Sequence, residues 1–248
     1  MTLQILMFLG AGLAGGAVNA AAGGAKLFVF PLLLAAGLPP IAANATSTVA
    51  VWPSQLPAIW VFRKELLENL HSLFRQMIPA LAGAFCGAMA LIWSSEKAFL
   101  AVIPVLLIIA VGAILLGNRT ADLAQRLFPG DRLKPATGVL LFFSGVYGGY
   151  FGAGYGFILI AVLSLAGGIG LRKINATKNL FAFCMNTTAV IPLAFSGLVD
   201  WVAAGTVLIG ALVGGYLGAL LTQAVPERML RAVVAGLGVV LTASFLLR

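Results

Sequence analysis

The sequence predicts an all-α polytopic membrane protein of roughly eight to ten transmembrane or half-membrane helices, built as two repeats. Three observations carry that expectation. A mean hydropathy of +1.08, with 61% hydrophobic and 9% charged residues, excludes an ordinary soluble domain. Apolar stretches recur from one end of the 248 residues to the other, and a helix is the spanning form that satisfies its own backbone in lipid. Finally, Asn44-Ala45-Thr46 returns as Asn175-Ala176-Thr177, each time after a glycine cluster and an apolar run. Two related halves, each with a glycine break inside apolar sequence, mark a secondary transporter built from repeats.

The apolar segments run approximately 3–21, 25–36, 41–62, 76–93, 98–117, 136–152, 155–168, 174–195, 199–222 and 230–247. The first lacks a basic leader and a clear cleavage site, so it reads as a span and not as a signal peptide. The second and seventh are too short for comfortable spans. They are thin spans or half-membrane elements that must be buried within protein. The longest polar connection, Gly117–Pro135, divides the halves. Residues 1–117 form the N-terminal repeat, 118–134 a cytoplasmic linker, and 135–248 the C-terminal repeat of one integral membrane domain.

Basic residues near span ends mark the cytoplasmic side. With the Arg63–Arg75 and Arg119–Lys134 segments inside, alternation places Arg172, Lys173, Arg228 and Arg231 inside as well. Ser94–Lys97 and Ser196–Asp200 then lie outside. Each half must cross an odd number of times, and duplicating such a half gives an inverted pair with both termini outside. Four spans per half would give a parallel pair instead, if the short segments re-enter in pairs.

The chemistry starts from what is missing. All seven acidic residues, Glu65, Glu68, Glu96, Asp122, Asp131, Asp200 and Glu227, fall in loops or at span ends. No mid-membrane carboxylate is available to bind a cation or relay a proton. His71 stands alone, Cys86 and Cys184 are far apart, and no metal spacing or nucleophile array occurs. Enzyme activity, cofactors, metals and nucleic acid are therefore not expected.

What remains is a set of cationic and neutral polar groups. Lys26 follows Gly23-Gly24, and Lys178 follows Asn175-Ala176-Thr177. An ammonium inside a membrane needs a partner, and with no acid nearby in sequence an anion is the natural one; snorkelling to an interface is the alternative. Gly23, Gly24, Gly154 and Gly156 can break a helix so that the restarted one aims free N–H groups at an anion. The alternative for glycine is close helix packing. Asn44, Thr46 and Ser47 in one half, and Asn175 and Thr177 in the other, offer donors to oxyanion oxygens or cap their own helices. Asn19, Ser54, Gln55, Asn186 and Thr187 are secondary candidates that equally suit interhelical hydrogen bonds.

A glycine-rich stretch, an apolar run ending in Pro-Leu and a small-residue loop into Ala-Thr-Ser resembles the TauE/SafE sulfite exporter family. The first copy runs from Gly23-Gly24-Ala25-Lys26 through Pro31-Leu32 to Ala45-Thr46-Ser47; the second runs from Gly152-Ala153-Gly154-Tyr155-Gly156 to Ala176-Thr177-Lys178. The second copy departs at Ala161-Val162, where Pro-Leu is absent, and the first at Ala20-Ala21-Ala22, where glycine is usual. The resemblance implies a multi-pass carrier in a bacterial inner membrane, exporting a small sulfur anion such as sulfite, an organosulfonate such as sulfoacetate, or thiosulfate. Partners are then the anion and the lipid bilayer. An anion channel, an organic-acid carrier and a non-transporting assembly partner are the competing readings.

Overall fold

The computed structural model describes residues 2–22, 24–67, 70–116, 134–165 and 171–221, together with 236 and 239. Gly23, most of the 118–134 linker and all but two residues of the expected segment 230–247 lie outside the described residues. The described secondary structure is helical throughout. In chain order the helices are α1 (Thr2–Ala22), α2 (Lys26–Ala35) and α3 (Pro40–Val51), a 3₁₀ turn (Trp52–Gln55), then α4 (Leu56–Val61) and α5 (Arg63–Leu67). These are followed by α6 (Leu70–Trp93), α7 (Glu96–Leu116), α8 (Lys134–Tyr150), α9 (Tyr155–Leu165), α10 (Leu171–Phe195) and α11 (Trp201–Leu221).

Helices α6 and α7 carry apolar stretches, Leu73–Trp93 and Glu96–Leu115, long enough to cross a membrane. The outer face of α7 exposes Val102, Val105, Ile108, Ile109 and Leu115, which water would penalise and lipid would not. By contrast α2 and α9 have 10 and 11 residues. At 1.5 Å per residue each reaches about half the thickness of a bilayer core. The expected polar loop over 63–75 is instead largely helical, because α5 and the first turns of α6 continue past the apolar sequence. The expected apolar segment 41–62 is divided: Pro53 cannot donate a backbone hydrogen bond, and the helix tightens into the 3₁₀ turn at that point.

Four glycine pairs spaced four apart set the helix packing. On α1 and α11, Gly12 and Gly16 face Val207 and Ala211, while Gly210 and Gly214 face Leu9 and Leu13. On α6 and α8, Gly83 and Gly87 face Phe142 and Val146, while Gly145 and Gly149 face Ala80 and Ala84. A Cβ at any of these eight positions would collide with a carbonyl oxygen of the facing helix. Both contacts advance in the same direction along the two chains, so α1 runs parallel to α11 and α6 parallel to α8.

Polar contacts fix which ends lie together. Glu96, at the start of α7, accepts from the Ile41 N–H at the start of α3, 3.3 Å away. The Asp200 N–H, at the start of α11, donates to Thr46 Oγ1 at 3.0 Å. Ser94 Oγ lies 3.1 Å from Tyr150 Oη at the end of α8. The starts of α3, α7 and α11 and the ends of α6 and α8 thus share one side of the molecule. On that side Phe30, Phe99 and Phe151 pack edge to face, with ring centroids 5.5–6.4 Å apart.

Candidate functional site

Helix α2 begins directly after the Gly24–Ala25 break, and its first residue is Lys26. Burial leaves that side chain only 5% exposed. Its ammonium donates to Thr48 Oγ1 at 2.6 Å and lies 5.9 Å from the centre of the Phe151 ring. Thr48 in turn donates to the Asn44 carbonyl at 2.8 Å. An ammonium has three N–H donors; among the described residues the partners of Lys26 are one hydroxyl and one ring, and none is a carboxylate.

The second break, Phe151–Gly154, joins α8 to α9 and is held in place from several directions. Gly152 and Gly154 have φ of +76° and +68°, a region that penalises any side chain. Tyr147 Oη donates to the Ala153 carbonyl at 2.6 Å, and Asn44 Nδ2 donates to the Tyr150 carbonyl at 2.8 Å. A Cβ on Gly152 would stand 3.7 Å from Lys26 Nζ. The second break thus lies in contact distance of the lysine of the first.

These two breaks enclose a cavity of about 20 Å³ lined by Asn19, Ala25, Lys26, Thr48, Val51, Gln55, Gly152, Tyr155 and Asn186. Such a volume accommodates little more than one water-sized group, which needs roughly 10–15 Å³ on this measure. Tyr155 is the first residue of α9, so the cavity sits between the starts of two half-length helices. Across it, Gln55 Nε2 and Asn186 Nδ2 both donate to Tyr155 Oη, at 3.0 and 2.8 Å. Tyr155 Oη donates to the Ala182 carbonyl at 3.1 Å. Asn19 Nδ2 donates to Ser54 Oγ at 2.6 Å, holding the end of α1 to the 3₁₀ turn. Trp52 Nε1 donates to Thr187 Oγ1 at 2.8 Å, and its ring stacks on Phe183.

Of the eleven residues singled out as primary site candidates, Lys26 lines the cavity. Gly24 belongs to the first break, and Gly154 and Gly156 to the second break and the start of α9. Gly154 packs against Ala110 and Ile114 of α7. Asn44, Thr46 and Ser47 are fully buried behind the cavity wall. There Asn44 holds α8, Thr46 accepts from Asp200, and Ser47 donates to the Asn44 carbonyl. Thr177 is buried and Lys178 half-buried on α10, away from the cavity; the side chain of Asn175 and all of Gly23 lie outside the described residues.

Of the lining residues, Ala25, Val51, Gly152 and Tyr155 were not singled out from the sequence as candidates, and Thr48 stood out only as the end of the polar run that starts at Asn44. Thr48 stands one helical turn after Asn44, and Tyr155 is the polar ring within the second glycine cluster; both signals are present but local. Metal ligation has no support among the described residues, where no group of three His, Cys, Asp or Glu side chains converges. The site offers one buried cation, several amide and hydroxyl groups, and the starts of two short helices, of which α2 has no side-chain cap. This donor set suits an anion.

A family model described as sulfite exporter TauE/SafE matches residues 8–245. The chain belongs to the TauE/SafE family. A probable membrane transporter protein of Haemophilus influenzae is 27% identical over 91% of this TauE/SafE chain and 88% of its own length. The probable membrane transporter protein YfcA of Escherichia coli K12 is 24% identical over 99% of the chain and 90% of its own. The probable membrane transporter protein ORF9 of Sinorhizobium sp is 25% identical over 98% and 92%. No solved structure matches the chain. As a family member it is a membrane transporter, and its polar cavity lies between breaks in apolar helices.

Proposed function

We propose that this TauE/SafE protein is a multi-pass inner-membrane secondary carrier that exports a small sulfur-containing oxyanion, sulfite or an organosulfonate, by alternating access. The observation that carries the reading is Lys26. A 95%-buried ammonium without a carboxylate partner among the described residues costs several kcal/mol, and an anion in the adjoining cavity offsets that cost. Two helix starts facing the same cavity add their positive ends. Backbone and side-chain donors from both halves then hold the oxygens, which accounts for a site at their junction.

The helix directions favour an inverted pair of repeats. Upstream of the two breaks, Gly12-Leu13-Ala14-Gly15-Gly16 on α1 matches Gly145-Val146-Tyr147-Gly148-Gly149 on α8. Helix α1 runs with α11, α8 runs with α6, and α11 starts on the side where α6 ends, so α1 and α8 run in opposite senses. A cavity with room for little more than one water suits a closed state, from which relative movement of the halves admits the substrate.

Reconstitution into liposomes tests the reading. Sulfite flux that saturates and is stimulated by sulfite on the opposite side is expected, with a carboxylate such as acetate competing poorly. Non-saturating flux would identify a channel, and preference for the carboxylate would remove the sulfur anion as substrate.

A further inference from the structure

The cavity holds one charge and one orphan. Gln55 lines it, and its Oε1 is buried without a hydrogen-bond partner, an arrangement that destabilises a protein unless something supplies a donor. The hydrogen bonds orient the amide. A tyrosine hydroxyl has one proton, and that of Tyr155 goes to the Ala182 carbonyl, 3.1 Å away. Gln55 and Asn186 then present N–H to Tyr155 Oη, at 3.0 and 2.8 Å. That leaves the carbonyl end of Gln55 for the cavity contents.

An occupant that satisfies both features must carry negative charge for Lys26 and an O–H or N–H for Gln55. A fully deprotonated dianion satisfies neither condition well. It would leave a net negative charge in a buried site with one cation, and it would set oxygen against oxygen at Gln55. Resting on the anion-carrier reading above, and favouring sulfite over a donor-free organosulfonate within it, we propose that the site selects singly charged oxyanions bearing a hydrogen-bond donor. Hydrogen sulfite is the transported form of sulfite, Lys26 neutralises it, and Gln55 Oε1 accepts its proton in a hydrogen bond. No proton is transferred: it crosses the membrane on the substrate, so a site with no carboxylate among the described residues still moves one proton per anion.

Two small pyramidal monoanions separate the ideas. Hydrogen selenite carries an O–H; chlorate has a similar shape and the same charge but no donor. In proteoliposomes containing the full chain, unlabelled selenite near neutral pH should inhibit labelled sulfite flux about tenfold more effectively than chlorate, the effect of one hydrogen bond to a buried acceptor. Sulfate, a donor-free dianion, should be weaker still. Gln55→Leu should bring selenite and chlorate to near equality, whereas Lys26→Met should weaken both together. Equal inhibition by selenite and chlorate in the wild type, or failure of both to inhibit saturable sulfite flux, overturns the proposal and leaves the carrier reading intact. Absence of any sulfite flux in the wild type overturns both. The wild-type comparison decides the matter even if a Gln55 variant fails to fold.

Discussion

Lys26→Met separates a lysine kept for function from one kept for structure. In the protein the ammonium is 5% exposed and has one hydroxyl acceptor at 2.6 Å. Taking a charge this far out of water costs several kcal/mol, and one hydrogen bond from the ammonium to a hydroxyl returns about 1.5–3 kcal/mol. Methionine fills similar space without that penalty, so the variant without ligand should unfold at the same temperature or higher. Binding should move the other way. An opposite charge about 4 Å from the ammonium is worth about 4 kcal/mol at an effective dielectric constant of 20, and removing one partner of a buried pair costs about 3–5 kcal/mol. A loss of about 3 kcal/mol corresponds to roughly 100-fold in dissociation constant. Calorimetric titration of sulfite into detergent-purified protein measures the loss, and thermal unfolding with and without sulfite measures the stability. The wild type should be stabilised by excess sulfite and Lys26→Met should not. A variant that binds sulfite within threefold of the wild type, or one that unfolds earlier without ligand, would mean that Lys26 is kept for structure.

Gly152→Ala should lower both stability and flux. Its φ of +76° and a Cβ 2.7 Å from the Gly148 carbonyl impose strain of about 1–3 kcal/mol, read by thermal unfolding and sulfite uptake. Gly87→Ala would drive a methyl group into the Val146 carbonyl and push α6 from α8, whereas Gly205→Ala meets no atom within 4 Å. The first should cost several kcal/mol and the second should be neutral or stabilising by up to about 1 kcal/mol, compared as unfolding temperatures in detergent. For topology, with Cys86 and Cys184 replaced by alanine, a cysteine at Ser95 should react with an impermeant thiol reagent from outside intact cells. One at Lys64 should react only after permeabilisation, and the reverse pattern would invert the assigned orientation.

The helical class was legible because hydropathy and the alternation of apolar with polar segments depend on composition alone. So were the short elements, since α2 and α9 are bounded by glycine breaks visible in the chain. The functions of individual glycines were not. Gly12, Gly16, Gly145 and Gly149 look like Gly24 and Gly154 in sequence, and only the facing helix decides between close packing and a broken backbone. Lys26 is the point where sequence and cavity coincide, because an isolated cation in apolar sequence signals itself. Asn44 and Ser47 attract notice for the same polarity, yet their described hydrogen bonds go to backbone carbonyls, a competition that local sequence does not resolve. Gln55, Tyr155 and Asn186 meet across as many as 131 residues of chain, so their convergence belongs to the tertiary fold.

The carrier reading requires an anion between the starts of α2 and α9, held from both halves of the chain. Selenite makes this directly visible, because selenium scatters anomalously and the ion has the shape of sulfite. A crystal structure determined with selenite at the selenium edge should place one anomalous peak within hydrogen-bonding reach of Lys26 Nζ and beside Gln55 and Gly152. A peak elsewhere, against Lys178 for example, or an unoccupied cavity in protein that transports selenite, would contradict the account.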